Sequence, residues 1–188
     1  MSSVAFVGPQ GSGKTSIARL LMEERGYIRI GISDPIKEIA QMAYRDLTKS
    51  ESFKINTWYG ERTLTGREML QDIGSALRDV DQDFWLRIFR QRYFAAVHAG
   101  ASVVIDDVRL PREAAYLSNI DPACAIVLVT ADPATRAARV GGRLIAGYDE
   151  TETLWAQVQT DYRIDTRDIL AEAAASNLLR WIADEWRK

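Results

Sequence analysis

Eight consecutive residues, Gly8-Pro9-Gln10-Gly11-Ser12-Gly13-Lys14-Thr15, constrain this chain more than any other feature. They satisfy G-x-x-x-x-G-K-[ST] at every specified position. An apolar run at 4–7 precedes them and a helical pattern at 14–25 follows. The spacing has a physical purpose. Glycines let successive backbone N–H groups turn inward around an anionic phosphate, and the N-terminus of the next helix adds its dipole. Lys14 then reaches the β- and γ-phosphates of a nucleotide such as ATP, and the Thr15 hydroxyl ligates Mg²⁺. The nucleotide-binding set read from the loop is Gly8, Gly11, Ser12, Gly13, Lys14, Thr15 and Ser16, with Lys14 also catalytic. Chance supplies only about 0.01 such matches in a chain of this length.

The remaining pattern alternates strands with helices and reads as α/β. After the loop, 27–32 is a weak second strand. Ser33-Asp34-Pro35 then opens a helix with Ile36, Ile39, Ala40 and Ala43 on one face. Residues 50–65 are polar and aromatic without a clear period and read as a mobile connection. Helical patterns follow at 66–80 and 83–99, continuous apolar strands at 102–105 and 125–129, and a last helix at about 167–186. Apolar runs between helices imply a parallel sheet covered on both faces. No repeat or long linker divides the 188 residues, so a single domain is expected.

A phosphate site that uses Mg²⁺ also needs a carboxylate at the end of a neighbouring strand. Val103-Val104-Ile105-Asp106 supplies it, making Thr15 and Asp106 the expected metal residues. Asp107 follows directly, and alternation points the two aspartates differently, which leaves open the one that serves the metal. The motifs of other nucleotide-binding classes are missing: N-K-x-D and D-x-x-G for a GTPase, L-S-G-G-Q for a transporter ATPase. One histidine, His98, and one cysteine, Cys124, exclude an internal disulfide and a Cys/His zinc centre. A net charge of −2 argues against a nucleic-acid polymer or membrane surface as partner, and no apolar run is long enough to span a bilayer. With no leader pattern at 1–7, a cytoplasmic location is expected.

Arginines outnumber lysines 19 to 5. Genome composition accounts for that excess, or guanidinium recognition of phosphate does, and position must decide. Arg67, Gln71, Gly74 and Arg78 recur at helical spacing on one face, with Leu70, Ile73 and Leu77 opposite. A second cluster, Arg136, Arg139 and Arg143, flanks Gly141-Gly142, which suits a hinge. Each stripe also reads as a solvated helix surface. Asp34 and Lys37 are acceptor contacts or a helix start, and Trp85 is core or a stacking surface for a base.

These segments resemble the deoxynucleoside monophosphate kinases of bacteriophage type, within the nucleoside monophosphate kinase-like P-loop superfamily. The resemblance rests on GPQGSGKT (8–15), SDPIKE (33–38), GREMLQDIG (66–74) with Arg78 and DQDFW (81–85), and DDVRLPREA (106–114). It runs over residues 4–165. It implies a three-layer fold around a five-stranded parallel sheet, with a helical acceptor region at about 34–98 and a short lid at about 136–152. It further implies ATP as donor, Mg²⁺ as cofactor and a deoxynucleoside monophosphate as acceptor, with a homodimer left open; the alternative readings are a P-loop kinase of another small acceptor, of dephospho-coenzyme A type, and a non-enzymatic nucleotide-binding regulator. Acceptor contacts would come from Asp34, Lys37, Arg67, Gln71, Arg78, Trp85, Asp107, Arg109 and Glu113. Arg136, Arg139 and Arg143 would hold the transferring phosphoryl group. Leu110 and Arg112 depart from the family's usual Phe and Asn.

Overall fold

The computed structural model describes residues 2–142 and 153–186, and the chain divides into two compact units, 1–31 with 92–188 and 32–91. The first unit is a wholly parallel five-stranded sheet. Its strands, in spatial order, are β2 (Ile28–Arg29), β5 (Val103–Val108), β1 (Ser3–Val7), β6 (Cys124–Thr130) and β7 (Tyr162–Asp165). Helices α1 (Lys14–Arg25), α5 (Pro111–Ile120), α6 (Pro133–Arg139) and α7 (Ala171–Trp181) connect and cover it.

Every residue of β1 is buried, because it lies at the sheet's centre under helices on both faces. Val4, Phe6, Ile17, Leu21, Val104, Val127 and Leu178 share one core cluster. Burying each such side chain stabilises by about 1.5–3 kcal/mol, so the strand that delivers the phosphate loop is firmly anchored. The sheet edges carry weaker signals. The strand expected over 27–32 narrows to Ile28–Arg29, although the Ile30 N–H still donates to the Val104 carbonyl at 3.1 Å. Residue patterning missed β7 altogether, because an edge strand reading Tyr-Arg-Ile-Asp buries only Ile164 fully. The last helix starts at Ala171 and loosens beyond Trp181 into a wide turn, Ile182–Trp186.

The second unit holds α2 (Asp34–Ala43), β3 (Ser52–Thr57), β4 (Gly60–Thr65), α3 (Gly66–Val80) and the first half of α4 (Phe84–His98). Strands β3 and β4 form an antiparallel hairpin where the sequence pattern predicted a mobile connection. Only Phe53, Ile55 and Leu64 carry its apolar face, too few to stand out among polar neighbours. The hairpin ends in a capping box that starts α3. The Glu68 N–H donates to Thr65 Oγ1 at 3.2 Å, and the Thr65 N–H donates to Glu68 Oε2 at 2.6 Å.

Candidate functional site: the phosphate loop and the groups docked on it

The loop between β1 and α1 takes its shape from three glycines with positive φ: 140° at Gly8, 77° at Gly11 and 96° at Gly13. Space demands glycine as strictly as conformation does. A Cβ on Gly8 would sit 2.1 Å from the Val129 carbonyl oxygen, and one on Gly11 would sit 2.8 Å from that of Arg136. Gly13 forms the N-cap of α1. It provides no capping side chain, and the first turn holds no acidic residue. The first N–H groups and the positive end of the helix dipole therefore face the loop, ready for an anion. Lys14 is buried, and its ammonium donates to the carbonyls of Gly8 and Pro9, both at 2.7 Å. Ser12 is buried within the loop, while Ser16 is exposed in the first turn of α1.

The sheet itself separates the two aspartates. Pairing of β1 with β5 runs Ala5 to Ile105 and then Val7 to Val108, so one extra residue is inserted opposite Phe6. This bulge breaks alternation at Asp106–Asp107, as bulges beside functional sites commonly do to re-aim a side chain. Asp106 is buried and accepts the Thr15 hydroxyl on Oδ2 at 3.0 Å, whereas Asp107 is half-buried. The hydroxyl and the carboxylate form an oxygen pair of the kind that suits Mg²⁺, which takes one or two protein oxygens and completes its shell from phosphates and water. No cluster of three or more His, Cys, Asp or Glu residues capable of holding a metal occurs among the described residues.

Asp106 has a second partner that sequence reasoning missed. Arg29 Nε donates to Oδ1 at 2.7 Å from the neighbouring edge strand. An arginine between two isoleucines in a short strand was the available signal.

A second overlooked residue, Thr166, joins the loop to the far side of the sheet. It is buried immediately after β7, and its hydroxyl lies 2.9 Å from the Ser12 carbonyl and 3.1 Å from that of Thr130. Its single proton serves both acceptors, and the oxygen accepts Arg139 Nη1 at 2.8 Å. Arg139 Nη2 donates to the Thr166 carbonyl at 2.7 Å, and Nη1 also approaches the Gly11 carbonyl at 3.3 Å.

Helix α6 carries these arginines to the loop. Asp132 caps it, accepting the Ala134 and Thr135 N–H groups at 3.0 Å, and these bonds with the Thr135 hydroxyl hold the carboxyl below its usual range. Arg136 Nη1 donates to the Gln10 carbonyl at 3.3 Å, and its Nε is buried without a hydrogen-bond partner among the described residues. Arg143 and positions 143–152 of the expected lid lie outside the described residues.

The expected acceptor residues divide between the units. In the first, Glu113 Oε2 accepts the backbone N–H groups of Arg109 at 2.8 Å and Leu110 at 3.0 Å. Burial pushes its carboxyl up against the opposing effect of those bonds. Glu113 thus has a structural task, fixing the start of α5 beside Arg109. In the second unit, Lys37 and Asp34 form an ion pair at 3.0 Å on α2. Arg67 and Arg78 are half-buried on α3, Gln71 is exposed, and Gly74 is buried between them. A Cβ at Gly74 would lie 3.3 Å from both Arg78 Nη1 and Ile36 Cδ1, so glycine makes room for that guanidinium. Trp85, offered as a stacking surface for a base, is corrected to core: it is 3% exposed and its indole N–H donates to the Gly74 carbonyl at 2.9 Å. His98 is exposed and stacked on Phe94, at the rim of α4. Burial pushes the Cys124 thiol well above its usual range and leaves it inert.

A parallel sheet ordered β2-β5-β1-β6-β7, with G-x-x-x-x-G-K-T after its central strand and an aspartate at the end of the adjacent one, defines a P-loop kinase fold. Residues 4–155 match a family model described as an AAA domain, and the chain belongs to that P-loop kinase family. A protein of Acanthamoeba polyphaga mimivirus, provisionally named as a deoxynucleotide monophosphate kinase, is 28% identical over 138 residues, covering 64% of this chain and 70% of its own. Among solved structures, a sugar kinase from Janibacter sp. HTCC2649 superposes with a TM-score of 0.59 at 18% identity, over 100% of this chain and 97% of its own. Shikimate kinase from Acinetobacter baumannii gives 0.53 at 14%, over 100% and 96%. The APS kinase of Mycobacterium tuberculosis, in complex with AMPPNP and APS, gives 0.50 at 15%, over 97% and 98%. These structural likenesses establish the fold. No helix among the described residues is long and apolar enough to cross a membrane.

Proposed function

We propose that this protein transfers the γ-phosphoryl group of ATP to the 5′-phosphate of a deoxynucleoside monophosphate. The observation that carries the reading is the docking of arginine-bearing α6 on a lysine-containing phosphate loop, through Arg136 to Gln10 and Arg139 to Gly11 and Thr166. The mimivirus relative and the resemblance to the bacteriophage-type enzymes support a deoxynucleotide acceptor. A cytoplasmic site of action accompanies that reading.

The second phosphate pKa of a phosphomonoester is near 6, so the acceptor is already mostly dianionic at neutral pH. One of its oxygens attacks the γ-phosphorus, the bond to the bridging oxygen breaks, and ADP leaves with those electrons. No general base is needed, which suits a chain whose one histidine lies exposed against Phe94. The protein's task is alignment and neutralisation of charge. Lys14, held by the Gly8 and Pro9 carbonyls, presents its ammonium to the donor phosphates. Arg136 and Arg139 act on the transferring group, with Arg143 as a third member. The Arg136 Nε is a buried donor without a hydrogen-bond partner among the described residues. Arg67, Arg78 and Arg109, with Asp34, Lys37, Gln71 and Asp107, serve the acceptor. Thr15 and Asp106 would hold Mg²⁺, which when bound offsets the charge of the β- and γ-phosphates.

Coupled ADP release from Mg-ATP against dAMP, dGMP, dCMP, dTMP and their ribose counterparts tests this. Turnover dependent on one of them, and reduced at least about 100-fold in Lys14→Ala, is the expected result. ATP binding without turnover on any acceptor of the panel would refute the reading.

A further inference from the structure

Three elements of the first unit meet on the carboxylate of Asp106. The residue itself comes from β5. Thr15, in the first turn of α1, donates its hydroxyl to Oδ2 at 3.0 Å. Arg29, on edge strand β2, donates Nε to Oδ1 at 2.7 Å. Each oxygen is thus held by a different neighbour. The Asp106 side chain is 5% exposed and that of Arg29 27%, so water and salt screen the ion pair little.

Such a pair either fastens an edge strand or sets the direction of the carboxylate, and its surroundings favour the second role. Backbone bonds already fasten β2 on both sides of Arg29. The Ile28 N–H donates to the Ser102 carbonyl at 2.8 Å, and the Ile30 N–H to that of Val104 at 3.1 Å. The register pairs Arg29 with Val104, two residues before Asp106, so both ends of the ion pair share one backbone frame. The carboxylate, by contrast, needs support. Its bulge opposite Phe6 removes the regular alternation that would otherwise direct the side chain. The torsion that turns an aspartate carboxylate is broad and roughly two-fold, so one hydrogen bond does not fix its plane. Thr15 is itself an expected metal residue, so its bond to Oδ2 is not independent of an ion. The Arg29 bond to Oδ1 is.

We propose that Arg29 is the positioning residue of the metal carboxylate. By holding Oδ1 it keeps Oδ2 of Asp106 turned toward Thr15, and so sets how strongly Mg²⁺ adds to nucleotide binding. Removing a group that orients a metal ligand in this way typically weakens metal affinity by about 10- to 100-fold. An arginine suits the task because its planar guanidinium stays charged and holds a fixed direction. The inference rests on Thr15 and Asp106 as the Mg²⁺ pair, and not on the identity of the acceptor.

Isothermal titration of AMPPNP, once with Mg²⁺ and once with EDTA, tests this without turnover. The quantity read is the Mg²⁺ gain, the ratio of the two dissociation constants, and Asp106→Asn sets its floor. Arg29→Met keeps the aliphatic stem and removes the donor. It should lose most of the gain between wild type and that floor, about 10-fold, while the affinity in EDTA stays near wild type. Arg29→Lys, which restores a charged donor, should recover most of the loss. In the Asp106→Asn background, Arg29→Met should lower the gain no further. That double variant carries neither charge of the pair, so it serves the test even if Arg29→Met alone does not fold. A wild-type gain in Arg29→Met would overturn the proposal. So would an equal loss of affinity in EDTA, which would make Arg29 a support of the whole loop, or a further fall in the double variant, which would make it act independently of Asp106. An Asp106→Asn variant with the wild-type gain would overturn the Mg²⁺ reading of Thr15 and Asp106 together with this inference, which tells the two failures apart.

Discussion

Replacing Thr166 with valine isolates the one hydroxyl that joins the phosphate loop to the end of β7. Valine keeps the shape and loses only that group, so the Cγ2 methyl 3.7 Å from the Cβ position of Gly13 has an equivalent. The Thr130 carbonyl retains the Thr166 N–H at 2.8 Å, and the Thr166 carbonyl retains Arg139 Nη2 at 2.7 Å. What disappears is the hydroxyl's link to the Ser12 carbonyl and its acceptance of Arg139 Nη1. Losing a buried hydrogen bond of this kind costs about 1–3 kcal/mol. In a chain of 150–250 residues each kcal/mol lowers Tm by about 2–4 °C, so a 2 kcal/mol loss lowers it by roughly 4–8 °C. Scanning calorimetry of wild type, Thr166→Val and Thr166→Ser measures this directly, and Thr166→Ser should recover most of it. In ATP titrations the valine variant should bind more weakly, since Ser12 belongs to the loop. The reasoning fails if Thr166→Val melts with wild type while Thr166→Ser, which keeps the hydroxyl, is the destabilised variant. The methyl, and not the network, would then hold the loop.

Other outcomes follow from the same geometry. Asp106→Asn should raise the Mg²⁺ concentration needed for half-maximal nucleotide binding and, by removing the carboxylate that accepts Arg29 Nε at 2.7 Å, lower Tm; Asp107→Asn should leave the metal dependence near wild type. Gly8→Ala demands both φ 140° and a Cβ 2.1 Å from the Val129 carbonyl oxygen, so a Tm drop of several degrees or loss of soluble protein is expected by thermal melting. Asp132 has a folded-state pKa below its usual 3.8, set first by its bond from the Thr135 hydroxyl. Its capping contribution is therefore present above about 3.8 and is lost as pH falls through the lowered folded value. Thermal melting of Asp132→Asn across pH 2.5–6 should show a shallower acid loss than wild type. Raised folded pKa values reverse the sign: desolvated Glu113 favours the fold below its usual 4.5 and loses that advantage as pH rises, so Glu113→Gln should flatten the curve on that side.

The parts legible in the sequence are those whose physics is local. A phosphate loop needs consecutive backbone N–H groups, so its glycines, Lys14 and Thr15 must be contiguous. α1 and α3 occupy 14–25 and 66–80, as their patterns predict. The carboxylate for Thr15 was legible as a pair and not as one residue. Resolving Asp106 from Asp107 needs the bulge opposite Phe6, a property of how β5 lies along β1 that neither strand shows alone. Arg29 and Thr166 were illegible for a related reason. Each sits on or just after an edge strand, where one-sided burial weakens the apolar signal, and each acts on a partner 77 or 154 residues away in sequence. The hairpin at 52–65 escaped because two strands stabilise each other with little core. Gly74 and Trp85 show the converse error. A stripe read as a binding face proved half core, because the face that carries Arg67, Gly74 and Arg78 at helical spacing also meets the Trp85 indole of the next helix, α4, at Gly74. Helical periodicity identifies residues that share a face; only the neighbouring elements determine what that face meets.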